Sequence, residues 1–438
     1  METKTHNKMT IIEKILASKS GKKFVRPGDI IWANIDHLMT HDVCGPGTFA
    51  LFKEKFGEKA KVFDRKKVVV IPDHYIFTQN KHAQRNLQIL RDFSKEQNLP
   101  YFYDAHSENY KGVCHVALSE EGFCLPGTIL LGTDSHTCTA GAYGSFATGV
   151  GNTDAAFVLG TGKLWFKVPE TLKFVFQGQK PKHVMAKDLI LQIIGDLGVD
   201  GGTYRSLEVG GPVIKALNME ERMSLCNMAI ECGGKNAVIE ADEVTLKDIE
   251  GKAKSSFQVF ESDSDYKYTY KKEYIGEKLE SLVARPHSPD NIIPAFKLGH
   301  QELTRAYIGS CTGGKLEDFK AAAKILKGQK VKIDTFVVPA TTKVAADLEK
   351  ETFDGRPLLQ IFKEAGATIG KPSCAACLGG PEDTFGRAND AQKVISTTNR
   401  NFPGRMGSKL AEVFLASPYT VAASSLTGKV TDPREFVN

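Results

Sequence analysis

No stretch of about 18 apolar residues occurs in the 438-residue chain, so a membrane-spanning helix is not expected. The N-terminal METKTHNKMT lacks the apolar core of a secretory signal, and it is too short and too poor in Arg and Ser for a transit peptide. The expected location is the cytoplasm, or the plastid stroma had a transit peptide been removed. No internal repeat and no low-complexity tract is present, which sets aside solenoids and disordered arrays. A disulfide framework is also missing: nine cysteines, an odd count without a secretory signal, argue against one. Neither sign of charge dominates. A net charge of +5 does not demand nucleic acid, and a mildly basic balance suits a small anionic substrate.

Hydrophobic residues make up 41% and charged residues 25%, as in ordinary globular chains. The length exceeds what one core usually serves and suggests two or three domains. Apolar runs that end in polar residues alternate with helical patterns: VVVIPDH after Lys67, YFYD after Pro100 and ILLGTDS after Thr128, with an amphipathic helix over 83–96. Such alternation implies a largely parallel α/β sheet, whose strand C-termini are where ligands bind. A second segment starts near Pro169 and carries a helical pattern in KDLILQIIGDLG. The stretch RPHSPDNIIP at 285–294 reads as a linker, and RAYIGSCTGG and KIDTFVVPA resume the α/β pattern. The expected division is 1–168, 169–296 and 297–438. The basic runs TYKKEY and KILKGQKVK read as solvated faces.

The chain has forty glycines, with the densest runs at 132–162, 201–211, 309–314 and 379–386, where backbone must turn tightly or approach a ligand. The last two runs contain or border cysteines with metal-binding spacing. Cys374 and Cys377 form a Cys-x-x-Cys that lets two thiolates face one metal centre. A structural zinc loop would want a second such pair, which is absent, and a redox pair would sit near the first strand and helix. Cys311, in YIGSCTGG, follows an apolar strand. Three thiolates on Gly-rich turns suit a [4Fe-4S] cluster with one iron left open, and an open position makes a metal catalytic. The segment GSCTGGK at 309–315 also matches the spacing of a phosphate-binding loop, but Leu316 stands where Mg²⁺ coordination needs Ser or Thr.

Histidine–carboxylate groups lie at the predicted strand ends. Asp73 and His74 follow VVVIP, His115 sits in GVCHVAL, Asp134, Ser135 and His136 sit in LGTDSHT, and Glu208 lies in SLEVGG. A carboxylate beside a histidine fixes its tautomer and raises its pKa, as acid–base catalysis requires. Arg400 and Arg405 flank a Pro-Gly turn in TTNRNFPGRMG, where two guanidinium groups can clamp a dicarboxylate.

The blocks GTDSHTCTAGAYGSFATGVGNTDA, YIGSCTGG, SCAACLGG and TTNRNFPGRMG resemble, in order, the signature blocks of the aconitase family. The resemblance runs from about Thr10 to the C-terminus. Within the family, MTHDVCGPGT, VVVIPDHYIFT, RPHSPDN and ASPYTVAASSLTGKVTDPREF look closest to large subunits that isomerise isopropylmalate in leucine biosynthesis. The resemblance implies three α/β domains around a [4Fe-4S] cluster, without the family's fourth, swivelling domain. It implies cluster ligation by Cys311, Cys374 and Cys377, and acid–base pairs Asp73–His74, Asp134–His115 and Glu208–His136. It places His41, Ser135, Asn399, Arg400 and Arg405 near substrate or cluster. It further implies a separate small subunit that supplies a serine base and the substrate-selecting loop, with no membrane or nucleic-acid partner. Alternatives are the same hydro-lyase chemistry on homocitrate, a methyl-substituted malate or a methylthioalkyl malate. From another class comes an iron-sensing RNA-binding protein, against which the modest charge argues.

Overall fold

The computed structural model describes residues 8–437; METKTHN, most of the stretch read for targeting, and Asn438 lie outside the described residues. Among the described residues, no helix is long and apolar enough to cross a membrane.

The first sheet contains β1 (His37–Thr40), β2 (Val68–Val70), β3 (Tyr101–Phe102), β4 (Ile129–Gly132) and β5 (Phe146–Gly149), in the order β3-β2-β1-β4-β5. Every pairing is parallel. Every residue of β2 and β4 is buried, the state of strands covered on both faces, and this is why they read as unbroken apolar runs. The helix Lys81–Glu96 buries Ala83, Leu87, Leu90 and Phe93 on one face. It starts two residues before the expected position because the Asn80 side chain accepts from the His82 and Ala83 N–H groups and caps it.

A second sheet holds β6 (Thr171–Gln177), β7 (Ser206–Gly210), β8 (Asn236–Val238) and β9 (Tyr270–Ile275), in the order β8-β7-β6-β9, all parallel. The third contains β10 (Leu282–Ala284), β11 (Ile292–Pro294), β12 (Arg305–Ile308), β13 (Asp334–Val337), β14 (Thr368–Ile369), β15 (Lys393–Ser396) and β16 (Glu412–Ala416), in the order β11-β10-β16-β15-β12-β13-β14. Its β10 and β11 form an antiparallel hairpin on β16. The proline-rich 285–294 stretch is therefore no free linker. Its prolines occupy the hairpin turn and the edge strand, where a missing N–H breaks no ladder.

One apolar cluster draws on all three sheets, through Met39, Leu207 and Val413, and it contains Cys311, Cys374 and Cys377. The loops that carry these residues approach closely. A Cβ on Gly313 would lie 2.2 Å from the Thr397 Cβ. Thr397 cannot swing away, because its Oγ1 accepts from the Gly309 N–H at 2.8 Å and donates to the Gly309 carbonyl at 2.9 Å. Gly313→Ala should therefore cost about 1–3 kcal/mol by overpacking. Denaturant unfolding checks this, and a midpoint equal to wild type would contradict the close approach.

Candidate active site

In the first sheet the chain runs from β1 through β2 to β3 on one side and returns as β4 on the other. The order reverses between β1 and β4, and a ligand crevice is expected beyond their C-terminal ends. His41 and Asp42 follow β1, Asp73 and His74 lie just past β2, and Asp134, Ser135 and His136 lie just past β4.

Asp134 is the hub of this crevice. Its carboxylate lies 2.9 Å from His115 Nε2, 3.4 Å from His136 Nδ1, 3.6 Å from His41 Nε2 and 3.8 Å from His74 Nε2. It also accepts the His136 N–H at 2.7 Å. Burial disfavours its charge, yet the neighbouring imidazoles, His115 foremost, hold it well below the usual carboxylate range. His74 gives Nδ1 to Asp73 at 2.7 Å. Burial opposes its proton, but Asp73, with Asp42 and Asp134 beyond, raises it to about 10. Asp73 also accepts the Cys114 N–H at 2.8 Å. Asp42, which no motif in the sequence singles out, accepts the N–H groups of Asp73, His74 and Tyr75 at 2.9, 3.1 and 2.6 Å and fixes their loop.

Glu208 is not beside His136. It sits on β7, where Lys173 Nζ, Ser262 Oγ and Tyr268 OH occupy it at 2.6, 2.7 and 3.0 Å. His136 instead meets Glu231, with Nε2 to Oε1 at 2.7 Å, and Glu231 takes the Arg400 Nε with both oxygens at 2.8 and 2.9 Å. Burial and the Arg400 charge oppose the proton on His136, and hydrogen bonds to Asp134 and Glu231 overcome them, raising it to about 9. The sequence signal for Glu231 is a lone acid inside LCNMAIEC, an otherwise apolar and small-residue stretch.

The sulfur side of the site adjoins this ring. Cys311, Cys374 and Cys377 are at most 5% exposed. Ser310 adopts a left-handed φ of 71°, a costly conformation for a non-glycine residue, at the turn that carries Cys311 inward. The neighbouring Cys374 side chain lowers Cys311 to about 6 and Cys377 well below the ordinary thiol range, and is itself raised well above that range. Asn399 bridges them, donating from Nδ2 to Cys311 Sγ at 3.3 Å and accepting from Cys377 Sγ at 3.2 Å. The Cys374 N–H donates to the Asp73 carbonyl at 2.9 Å and ties the two halves together.

Arg405 stands close enough to Cys377 to favour its thiolate, and its buried Nε has no hydrogen-bond partner among the described residues. A cavity of about 290 Å³ opens against His74, Ser373 and Ala375. Another of about 430 Å³ opens against Ser135, Gly149 and Lys235. Of the sequence-derived site residues, only Glu208 lies apart. The phosphate-loop lysine, Lys315, points inward to Asp318 at 2.7 Å and to the Thr312 carbonyl at 3.1 Å, so it is not placed for a nucleotide.

Comparison with known proteins adds a family, two relatives and a solved structure. Residues 13–428 match the model of the aconitase family (aconitate hydratase). The chain is 57% identical to the 3-isopropylmalate dehydratase large subunit, chloroplastic, of Arabidopsis thaliana, over 98% of this chain and 87% of the relative. It is 43% identical to the 3-isopropylmalate dehydratase large subunit 1 of Pyrococcus furiosus, over 98% and 99%. Among solved structures it is similar to the holo-form of Thermococcus kodakaraensis aconitase X, with a TM-score of 0.50, 13% identity and 89% of each chain covered; that likeness concerns the fold.

The reassignment from Glu208 to Glu231 is testable by titration. A histidine whose pKa is raised on folding stabilises the fold fully below its unfolded value of about 6.5, and that contribution is lost as pH rises through the folded value, about 9 for His136. Glu231→Gln should bring the His136 pKa down and move the loss to lower pH, while Glu208→Gln should leave it in place. Imidazole NMR titration reads both, and the reverse pattern would restore the Glu208 pairing.

Proposed function

This chain belongs to the aconitase family, and from that premise we propose that it is the large subunit of a 3-isopropylmalate dehydratase. The reaction is the interconversion of 2-isopropylmalate and 3-isopropylmalate by dehydration and rehydration, in leucine biosynthesis. The observation that carries the reading is the meeting, in one crevice, of three buried thiols with a ring of histidines around Asp134.

Family membership implies a [4Fe-4S] cluster. The donor set fits one: three buried cysteine sulfurs, two of them bridged by Asn399, on short turns in an apolar surround. Cys311, Cys374 and Cys377 would hold it and leave one iron without a protein ligand. When bound, such a cluster supplies a Lewis acid for a substrate hydroxyl and carboxylate.

The chain's own residues supply the rest. His74, with Nδ1 committed to Asp73, holds a proton on Nε2 for the leaving hydroxyl. Asp134 keeps His115 and His136 in place, and Glu231 locks His136 and Arg400 together. Arg405, with its free Nε, and Arg400 are suited to a dicarboxylate, bordered by Ser135 and His41. The relatives' names specify a large subunit. We assign to a separate small subunit the serine base and the loop that selects the substrate's side chain. The three sheets correspond to three α/β domains in this reading, with boundaries near 168 and 296 except that the β10–β11 hairpin goes with the third. We place the chain in the cytoplasm or a plastid stroma; the Arabidopsis relative's name specifies the chloroplast.

The test is anaerobic reconstitution with iron, sulfide and a candidate small subunit, followed by the absorbance of the unsaturated intermediate. Turnover of isopropylmalate in preference to homocitrate and methyl-substituted malates is expected, with Cys377→Ser lowering it by more than about 100-fold. Full activity of that variant would defeat the ligand assignment. Asp73→Asn should shift the alkaline limb of the rate profile to lower pH, because it removes the carboxylate that raises His74. An unmoved limb would remove His74 from the acid's role.

A further inference from the structure

Two lysines are buried beside the cysteine turns, and they are compensated differently. Lys315 has its counter-ion in Asp318, 2.7 Å away. Lys187, on the helix Ala186–Leu197, is 2% exposed, and no carboxylate forms an ion pair with it among the described residues. Its Nζ donates to the Thr397 carbonyl at 2.6 Å and to the Thr398 carbonyl. An ammonium taken out of water without a counter-ion is costly.

What surrounds it supplies a reason. Burial foremost, with the Lys315 charge, lowers its pKa to about 7, and Cys377, Asp318 and Cys311 are the groups that favour its charge. The carbonyls it grips immediately precede Asn399, which touches the Cys311 and Cys377 sulfurs, and Arg400, which holds Glu231 against His136. The Thr397 carbonyl also accepts from Thr312 Oγ1 at 2.6 Å, on the Cys311 turn.

We infer that Lys187 is a positioning residue: it carries the buried positive charge that balances the thiolate-ligated cluster, and it fastens the loop that presents Asn399 and Arg400. The inference rests on the cluster reading above. It requires that the helix of the second sheet region contribute electrostatically to a site whose ligands lie in the third.

The test uses two substitutions in the cluster-loaded complex, read by EPR-monitored redox titration and by steady-state kinetics. Lys187→Gln retains a donor without charge, and Lys187→Met retains neither. Net charge near a cluster sets its potential, so both variants should shift the midpoint to more negative values. The KM should rise more in the Met variant, by roughly tenfold for the lost hydrogen bonds.

Midpoints equal to wild type in both loaded variants would overturn the inference. If neither variant retains a cluster, the melting of the cluster-free chains decides. Melting close to wild type supports a role in holding the cluster, and melting far below it reduces Lys187 to a structural residue and overturns the proposal. Failure of the wild-type chain itself to take up iron and sulfide would instead refute the cluster reading.

Discussion

Asp134 places a largely buried carboxylate at the point where the strand order of the first sheet reverses, and such a charge persists only if its surroundings answer it. Four imidazoles do so, from the ends of β1 and β2, from the helix Cys114–Glu120 and from the turn after β4. Three further acids steady this ring from outside. Asp73 holds His74, Glu231 holds His136, and Asp42 pins the loop after β2 through three backbone N–H groups. The result is a nested arrangement in which acid and imidazole alternate. Protons are held near neutral pH on His74 and His136 although both are buried.

The sulfur-bearing loops are tied to the same arrangement. The Cys374 N–H bonds to the carbonyl of Asp73, and the Arg400 guanidinium joins the loop after β15 to Glu231. Asn399 then spans two of the three thiols. A shift of the cysteine turn therefore moves the ring of histidines around Asp134 with it. This explains why glycine is needed at position 313, where the two loops come within van der Waals contact.

Much of this is legible in the amino-acid sequence. Buried parallel strands announce themselves as apolar runs, and polar residues after such runs fall at a crevice by topology alone; His74, Asp134 and His136 declare themselves that way. The three cysteines stand out as thiols beside Gly-rich turns, and the structure buries all three in one apolar cluster. Glu231 is not, because its partner lies 95 residues away and an isolated acid in LCNMAIEC looks like an ordinary helix residue. Glu208 has the more suggestive position, at a strand end, but Lys173, Ser262 and Tyr268 satisfy it within its own sheet region. The prolines of 285–294 suggest a linker, and only the pairing of β10 with β16 reveals an edge hairpin. Asp42 and Lys187 act through backbone groups, which no side-chain pattern announces.

The central claim is that three cysteines of this chain hold a four-iron cluster and leave one iron free to meet substrate. Mössbauer spectroscopy of the ⁵⁷Fe-reconstituted complex, with and without isopropylmalate, addresses it directly. The account predicts that one of the four iron sites changes its isomer shift and quadrupole splitting when substrate is added, while the other three stay as they were. Four iron sites indifferent to substrate, or no iron bound at all, would contradict it.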